Sequence, residues 1–271
     1  MSDEVVLITG AAGGIGRFLT KSFLDSGSRV VACDLDARAV EKIAKAQKWN
    51  RKNLKIEKLD VRSAKQWKDA IKSATKSWGR LDVLINNAGY LLPGYVQTLD
   101  EEIIDRHLNI NAKGVMLGTA AAARVMLDQK SGHIVNVASL AGIAGIPGIS
   151  AYSASKHAVR GFSLAAAQEL RASGVFVTVI CPDAVQTPML DLQKDYAEAA
   201  LTFSGGKVLT PASVEGAIRK ALVKKSREVT IPGHRGMLAK IASAFPSFTS
   251  TFASIMEKQG KRNQSKFRKQ S

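Results

Sequence analysis

Cysteine is nearly missing from this sequence: Cys33 and Cys181 are the only two in 271 residues. They form no motif with each other or with any of the four histidines, which argues against a disulfide framework and a Cys/His zinc site, and no metal is expected. Long hydrophobic runs are missing too. Hydrophobic residues make up 45% of the chain, yet no uninterrupted run approaches the ~20 residues that span a bilayer. No basic segment precedes the first strand-like stretch, so no signal peptide is expected and a reducing, cytoplasmic setting fits. Acidic residues are scarce beside basic ones, 23 against 39, for a net charge of +16. The imbalance is concentrated: Lys207 to Ser271 carries 14 Lys and Arg against 3 Asp and Glu. A basic end of this kind suits nucleic acid, an anionic membrane or a solvated tail. Nucleic acid is set aside, because aromatics are few (6%), they are not spread through the final basic cluster at 258–269, where Phe267 is the only one, and no reading motif occurs.

What the chain does have is alternation. Short β-branched runs fall at 4–10, 28–34, 53–60, 81–89, 132–139, 174–182 and 227–232. Between them lie segments of helical periodicity: 14–26, 36–49, 63–78, a long stretch after Leu99 interrupted near Asn109–Asn111, 151–172 and 211–225. Buried strands alternating with amphipathic helices predict an α/β fold, a doubly wound parallel sheet of about seven strands with helices on both faces. One domain over 1–233 is expected, with a lid at about 188–205 and a basic extension over 234–271 whose end is solvated.

The turn "TGAAGGIG" (9–16) lies between the first strand and the first helix. Gly10 lets the chain leave the strand sharply, and Gly14 and Gly16 allow a pyrophosphate to approach the free N–H groups of the helix. Asp34 closes the next strand, where a carboxylate accepts hydrogen bonds from a ribose hydroxyl. The competing reading has Asp34 only capping the following helix. A carboxylate there repels a 2′-phosphate, and neither Gly13 nor Leu35 is basic, so NAD is favoured over NADP; Arg38 is the one nearby residue able to compensate.

"TGAAGGIG", "NNAG" (86–89), Ser139 with "YSASK" (152–156) and "CPDAVQT" (181–187) follow one another in this order. In this the chain resembles the short-chain dehydrogenase/reductase family in its short, single-domain Rossmann form, from about Val5 to Ile231. The resemblance implies an NAD(P)-dependent oxidoreductase, a homodimer or homotetramer, acting on a secondary alcohol or ketone. It makes Tyr152 the proton donor and acceptor and Lys156 its support. Ser139 polarises the substrate oxygen, and Asn111, rather than Asn109, kinks its helix and holds a relay water. It brings Ile15 to the nicotinamide end, sets Asp60 and Val61 beside the adenine, lines the adenosine with Asn87, Ala88 and Gly89, and places Pro182, Val185 and Thr187 at the carboxamide. Asn86 is expected to tie neighbouring strands. One departure stands out: Asp183 follows Pro182 where the family usually has glycine.

The chemistry is coherent in its own terms. A free phenol, with a pKa near ~10, is mostly protonated at neutral pH, and a neighbouring ammonium is expected to lower it. Tyr152 and Lys156, four apart, share a helix face. A non-catalytic dinucleotide-binding redox sensor on the same fold is the alternative, but such a sensor has no need of the full Asn111, Ser139, Tyr152 and Lys156 set.

On the substrate side, Leu91, Leu92, Ile143, Ile146, Met189 and Leu190 lie in loops beyond the strand ends and are expected to line an apolar pocket. With no Arg or Lys in the first two of those loops, a small apolar alcohol or ketone is expected: a steroid, retinoid, long-chain lipid or aromatic. In the extension, Met237, Leu238, Ile241, Ala242 and Phe245, then Phe248, Phe252, Ile255 and Met256, follow helical spacing, and six cations without an acid run from Lys258 to Lys269. Three readings stay open: a peripheral membrane contact, a subunit contact, or a cap over the pocket.

Overall fold

A computed structural model describes residues 3–270, with the side chains of 246–254 and 270 left outside the description. The expected positions of Phe248 and Phe252 therefore lie outside the described residues. Seven parallel strands form one sheet in the order β3-β2-β1-β4-β5-β6-β7. They are β1 (Val5–Thr9), β2 (Arg29–Asp34), β3 (Leu54–Lys58), β4 (Val83–Asn86), β5 (Gly132–Val137), β6 (Val175–Pro182) and β7 (Glu228–Ile231). The order reverses between β1 and β4, and ligands of open parallel sheets bind beyond the strand ends at that crevice.

Helices α1 (Gly14–Asp25), α2 (Ala37–Ala46) and α3 (Ala64–Trp78) connect the first strands. α4 (Glu101–Arg106), a π-helical segment at His107–Lys113, and α5 (Gly114–Gln129) carry the chain to β5. α6 (Ser150–Arg171), α7 (Pro188–Gln193) and α8 (Pro211–Lys224) follow, then α9 (Gly233–Ala244) and α10 (Pro246–Gln270). Asp36, not Asp34, caps α2, accepting from the Ala39 N–H. The capping reading of Asp34 is thereby removed.

The sheet is apolar on both faces, as a covered parallel sheet must be. Val6, Ile8, Val30, Ala32 and Ile85 pack on one side with Leu19, Phe23 and Ile218. Val5, Leu7, Val31 and Leu84 pack on the other with Trp67, Ile71 and Met126. Each such side chain fully removed from water contributes about 1.5–3 kcal/mol. Buried polar groups lock the strand ends together. Asn86 Nδ2 donates to Asn136 Oδ1 at 2.8 Å across β4 and β5, the tie expected of it. Both cysteines are free and buried. Among the described residues no helix is long and apolar enough to cross a membrane, and no cluster of metal-ligating side chains occurs.

Candidate active site

The β1–α1 turn is shaped by its glycines. Gly10 has φ of +68°, and a Cβ on Gly16 would sit 1.9 Å from the Gly10 carbonyl oxygen, which no side chain can do. A Cβ on Gly14 would meet Thr187 Cγ2 at 2.6 Å, so the segment after β6 lies directly over the start of α1. Asp34 accepts from the Ala12 N–H (2.9 Å) and the Asp36 N–H (3.1 Å), which holds its carboxylate at the turn. Asn87 Nδ2 donates to the Thr9 carbonyl at 3.0 Å, and Thr9 Oγ1 accepts from the Asn87 and Ala88 N–H groups. The result is a cradle with no room for side chains, a free helix N-terminus and a carboxylate beside it. These residues fit a dinucleotide. Asp60 and Val61 are more committed. Arg62 pairs with Asp60 at 2.7 Å and holds its carboxyl below the usual range. Val61 is buried, and its carbonyl accepts from Trp67 Nε1.

Ser139, Tyr152 and Lys156 meet at the ends of β5 and β6. Ser139 Oγ donates to the Pro182 carbonyl at 3.5 Å and accepts from the Ala141 N–H at 3.1 Å. Lys156 Nζ donates to the Val137 carbonyl at 2.9 Å and lies 5.6 Å from the Tyr152 ring centroid. Gly89 faces this group: a Cβ there would stand 3.7 Å from Lys156 Nζ and 3.5 Å from Asn111 Oδ1. Burial pushes the Tyr152 phenol up to about 12, with the Ser139 hydroxyl opposing it. Burial also pulls the Lys156 ammonium down to about 8. The lowering expected from the ammonium is outweighed. In this dry pocket desolvation of the phenolate is the larger effect, and the same desolvation weakens the lysine.

Asn111 lies in the π-helical segment, where an interruption was expected. Its Oδ1 accepts from the Tyr90 N–H at 2.7 Å, and its Nδ2 donates to the Tyr90 carbonyl and to Ser155 Oγ, both at 2.9 Å. Both amide hydrogens are thus spent on protein. The side chain thereby fixes the loop after β4 to α6. His107, which sequence reasoning passed over, does similar work. Its Nδ1 donates to the Ile103 carbonyl at 2.7 Å and its Nε2 accepts from the Leu92 N–H at 3.2 Å, in the Nδ1–H tautomer those partners require. Burial lowers its pKa and keeps it neutral. A lone histidine in an apolar helix carries no sequence signal for this role.

A cleft of about 1310 Å³ opens beside Ser139, Tyr152 and Lys156. Ile15, Asn87, Gly89, Pro182, Val185 and Thr187 border its inner part. Leu91, Ile146, Met189 and Leu190 border the rest, as expected. Two expected wall residues do not. Ile143 is buried against Val115, Val159 and Val179, because the loop after β5 turns in beneath α6. Leu92 is outside the wall, its backbone drawn to His107. The extension supplies the outer wall instead: Leu238, Ile241 and Ala242 of α9 and Phe245 just after it, with Ile255 and Met256 of α10. Farther along, Gln264 Nε2 of α10 donates to the Gln193 and Tyr196 carbonyls, and Asn263 Nδ2 donates to the Phe203 carbonyl, so the basic end lies on the expected lid segment. Of the three readings of the extension, the cap describes its position.

Residues 4–197 match the family model described as short chain dehydrogenase. The chain is 40% identical over 199 residues to the sex determination protein tasselseed-2 of Zea mays, covering 70% of this chain and 57% of that protein. It is 34% identical over 190 residues to a diacetyl reductase of Staphylococcus epidermidis, covering 70% of this chain and 74% of that protein. A short chain dehydrogenase/reductase of Burkholderia phymatum, solved in complex with NAD, has the same fold: TM-score 0.82 at 23% identity, covering 92% of this chain and 95% of that one. The chain belongs to the short-chain dehydrogenase/reductase family, the NAD(P)-binding oxidoreductases that act on alcohol and ketone groups.

Proposed function

We propose that this chain interconverts an apolar secondary alcohol and its ketone, with NAD as the favoured cofactor. The observation that carries the reading is the meeting of Ser139, Tyr152 and Lys156 at the inner end of a large, mostly apolar cleft. Gly10, Gly14, Gly16, Asp34 and Asn87 would hold the dinucleotide, with Ile15, Val185 and Thr187 at its nicotinamide end. Bound there, the nicotinamide supplies the hydride acceptor or donor. The Tyr152 phenol oxygen takes the substrate's hydroxyl proton in oxidation and returns it in reduction. Ser139 Oγ donates to the same substrate oxygen as negative charge develops on it. Lys156 supplies positive charge beside the phenol. The apolar wall excludes water and favours a substrate without charge.

Asp34 supports the cofactor preference. A second phosphate at ~4 Å from a carboxylate meets a repulsion of about 1 kcal/mol in water and about 4 kcal/mol at an effective dielectric of 20. NAD is therefore expected to exceed NADP in kcat/KM by about tenfold or more, read from the absorbance of reduced nicotinamide. A tenfold preference for NADP would reverse the assignment. Tyr152→Phe is expected to lower kcat by about 10²–10⁴ while NAD affinity stays within about twofold. Retention of near-wild-type turnover would remove Tyr152 from the chemistry.

A second reading concerns location. Met237, Leu238, Ile241, Phe245 and Ile255 are exposed, and cations follow them along α10. This pattern supports contact with an anionic bilayer at the mouth of the cleft. Co-sedimentation of the full chain with phosphatidylserine vesicles, and its loss in high salt, tests it; equal recovery with and without vesicles would remove it.

A further inference from the structure

Asp183 stands where the family usually has glycine, and its partner comes from the far end of the chain. Arg235, in the first turn of α9, reaches Asp183 Oδ2 with Nε at 2.5 Å. Only 12% of the aspartate side chain and 23% of the arginine side chain are exposed. Arg235 Nη2 also donates to Ser204 Oγ at 3.4 Å, at the end of the segment between α7 and α8. The Asp183 N–H donates to the Ile231 carbonyl at 2.7 Å, which fixes that residue beside β7. One guanidinium thus joins the strand that ends at Pro182, the lid and the cap. The cap is rooted a second time on its outer side, where Glu228 pairs with both Arg160 of α6 and Lys240 of α9.

A buried ion pair is a poor way to gain stability, because both charges are taken from water and apolar residues of similar size serve as well. Here burial raises the Asp183 carboxyl above its ordinary value, with Arg235 opposing. What the pair does supply is direction. A guanidinium in ion-pair contact with Asp183 and hydrogen-bonded to Ser204 fixes where α9 leaves β7. That placement decides whether Leu238, Ala242 and Phe245 lie over the cleft.

We propose that Asp183 and Arg235 form a latch that holds the C-terminal cap over the outer half of the cleft and so selects long apolar substrates over short ones. Arg235 is a positioning residue: it acts through the cap, not on the reacting atoms. A short alcohol seats at Ser139 and Tyr152 without reaching the cap. A long chain extends past Ile146 and Met189 to the face of α9. The proposal rests on the apolar alcohol or ketone reading.

The experiment compares full-length wild type, Asp183→Asn, Arg235→Gln, the double variant and Lys240→Met. Substrates are secondary alkanols from isopropanol to a long-chain member, with NAD. Each single variant at the latch is expected to lose about tenfold in kcat/KM on the long alkanol, through KM, with kcat on isopropanol within about twofold of wild type. The double variant is expected to be no worse than the worse single, since both remove one interaction. Lys240→Met, on the outer side, is expected to leave chain-length selectivity unchanged. In parallel, chymotrypsin is expected to cut at Leu238 and Phe245 faster in the latch variants than in wild type or Lys240→Met. Folded latch variants with wild-type selectivity and wild-type cleavage rates would overturn the proposal, as would an equal loss in Lys240→Met. If wild type turns over no alkanol, the substrate reading fails by itself and cleavage decides the latch: faster cutting confined to the latch variants supports it, and equal rates in all five proteins overturn it.

Discussion

Lys156→Met isolates the electrostatic work asked of the lysine. The side chain is buried, and its Nζ donates one hydrogen bond to the Val137 carbonyl. Methionine keeps the length and removes the charge. Its charge lies 5.6 Å from the Tyr152 ring centroid, which at an effective dielectric of 20 corresponds to about 3 kcal/mol of support for a phenolate. That is about two pH units. The phenol starts from an unfavourable position, pushed up to about 12 by burial. In alcohol oxidation the basic limb of the kcat profile is therefore expected to move up by about two units, and the rate near pH 7 to fall about a hundredfold. The lysine is itself pulled down to about 8, so the wild type is expected to lose the ammonium's help above that pH. The apparent values belong to the pair, not to either residue alone. Global stability moves little, because the orphaned Val137 carbonyl is offset by removal of a desolvated cation. The assay is a pH series of kcat with saturating alcohol and NAD, together with thermal melting. A limb that stays in place, with less than about a threefold loss near pH 7, would refute the electrostatic role.

Asn111→Ala leaves the Tyr90 N–H and carbonyl without their buried partner; at about 1–3 kcal/mol each, a loss of about 2–6 kcal/mol in urea unfolding is expected. His133 is buried, with Nε2 2.8 Å from Thr178 Oγ1, and burial holds it down to about 4. The unfolded chain then binds that proton first, so stability is expected to fall as pH drops from about 6.5 to about 4, by up to ~3 kcal/mol. His133→Asn is expected to flatten this acid limb in denaturant melts at fixed pH; an unchanged slope would place the acid sensitivity elsewhere.

The sheet was legible because its strands are apolar on both faces and each is bounded by turn residues. The dinucleotide cradle was legible because only glycine satisfies Gly10 and Gly16, a constraint written directly in residue type. Asn111 was placed correctly at a helix interruption, but its partners were not, because the Tyr90 loop and α6 meet it only in three dimensions. Ile143 and Leu91 look alike in sequence, both apolar and both in loops beyond a strand. One lies under α6 and the other on the cleft, and hydropathy does not distinguish core from pocket.

The same limit explains the extension. Helical spacing of Leu238, Ile241, Ala242 and Phe245 announces an apolar face without naming what it covers. A membrane, a second subunit and the chain's own cleft all satisfy the pattern equally. The extension's place beside the cleft is joined to the end of β6 by two residues that no periodicity connects. Asp183 departs from the family pattern just after β6, and Arg235 is one cation among the many in a basic end. Their meeting makes the departure a joint between the end of β6 and α9. A glycine at this position would let the backbone approach a ligand but would leave Arg235 a buried charge without a counterion. Loss of either residue therefore leaves the other's largely buried charge without its partner.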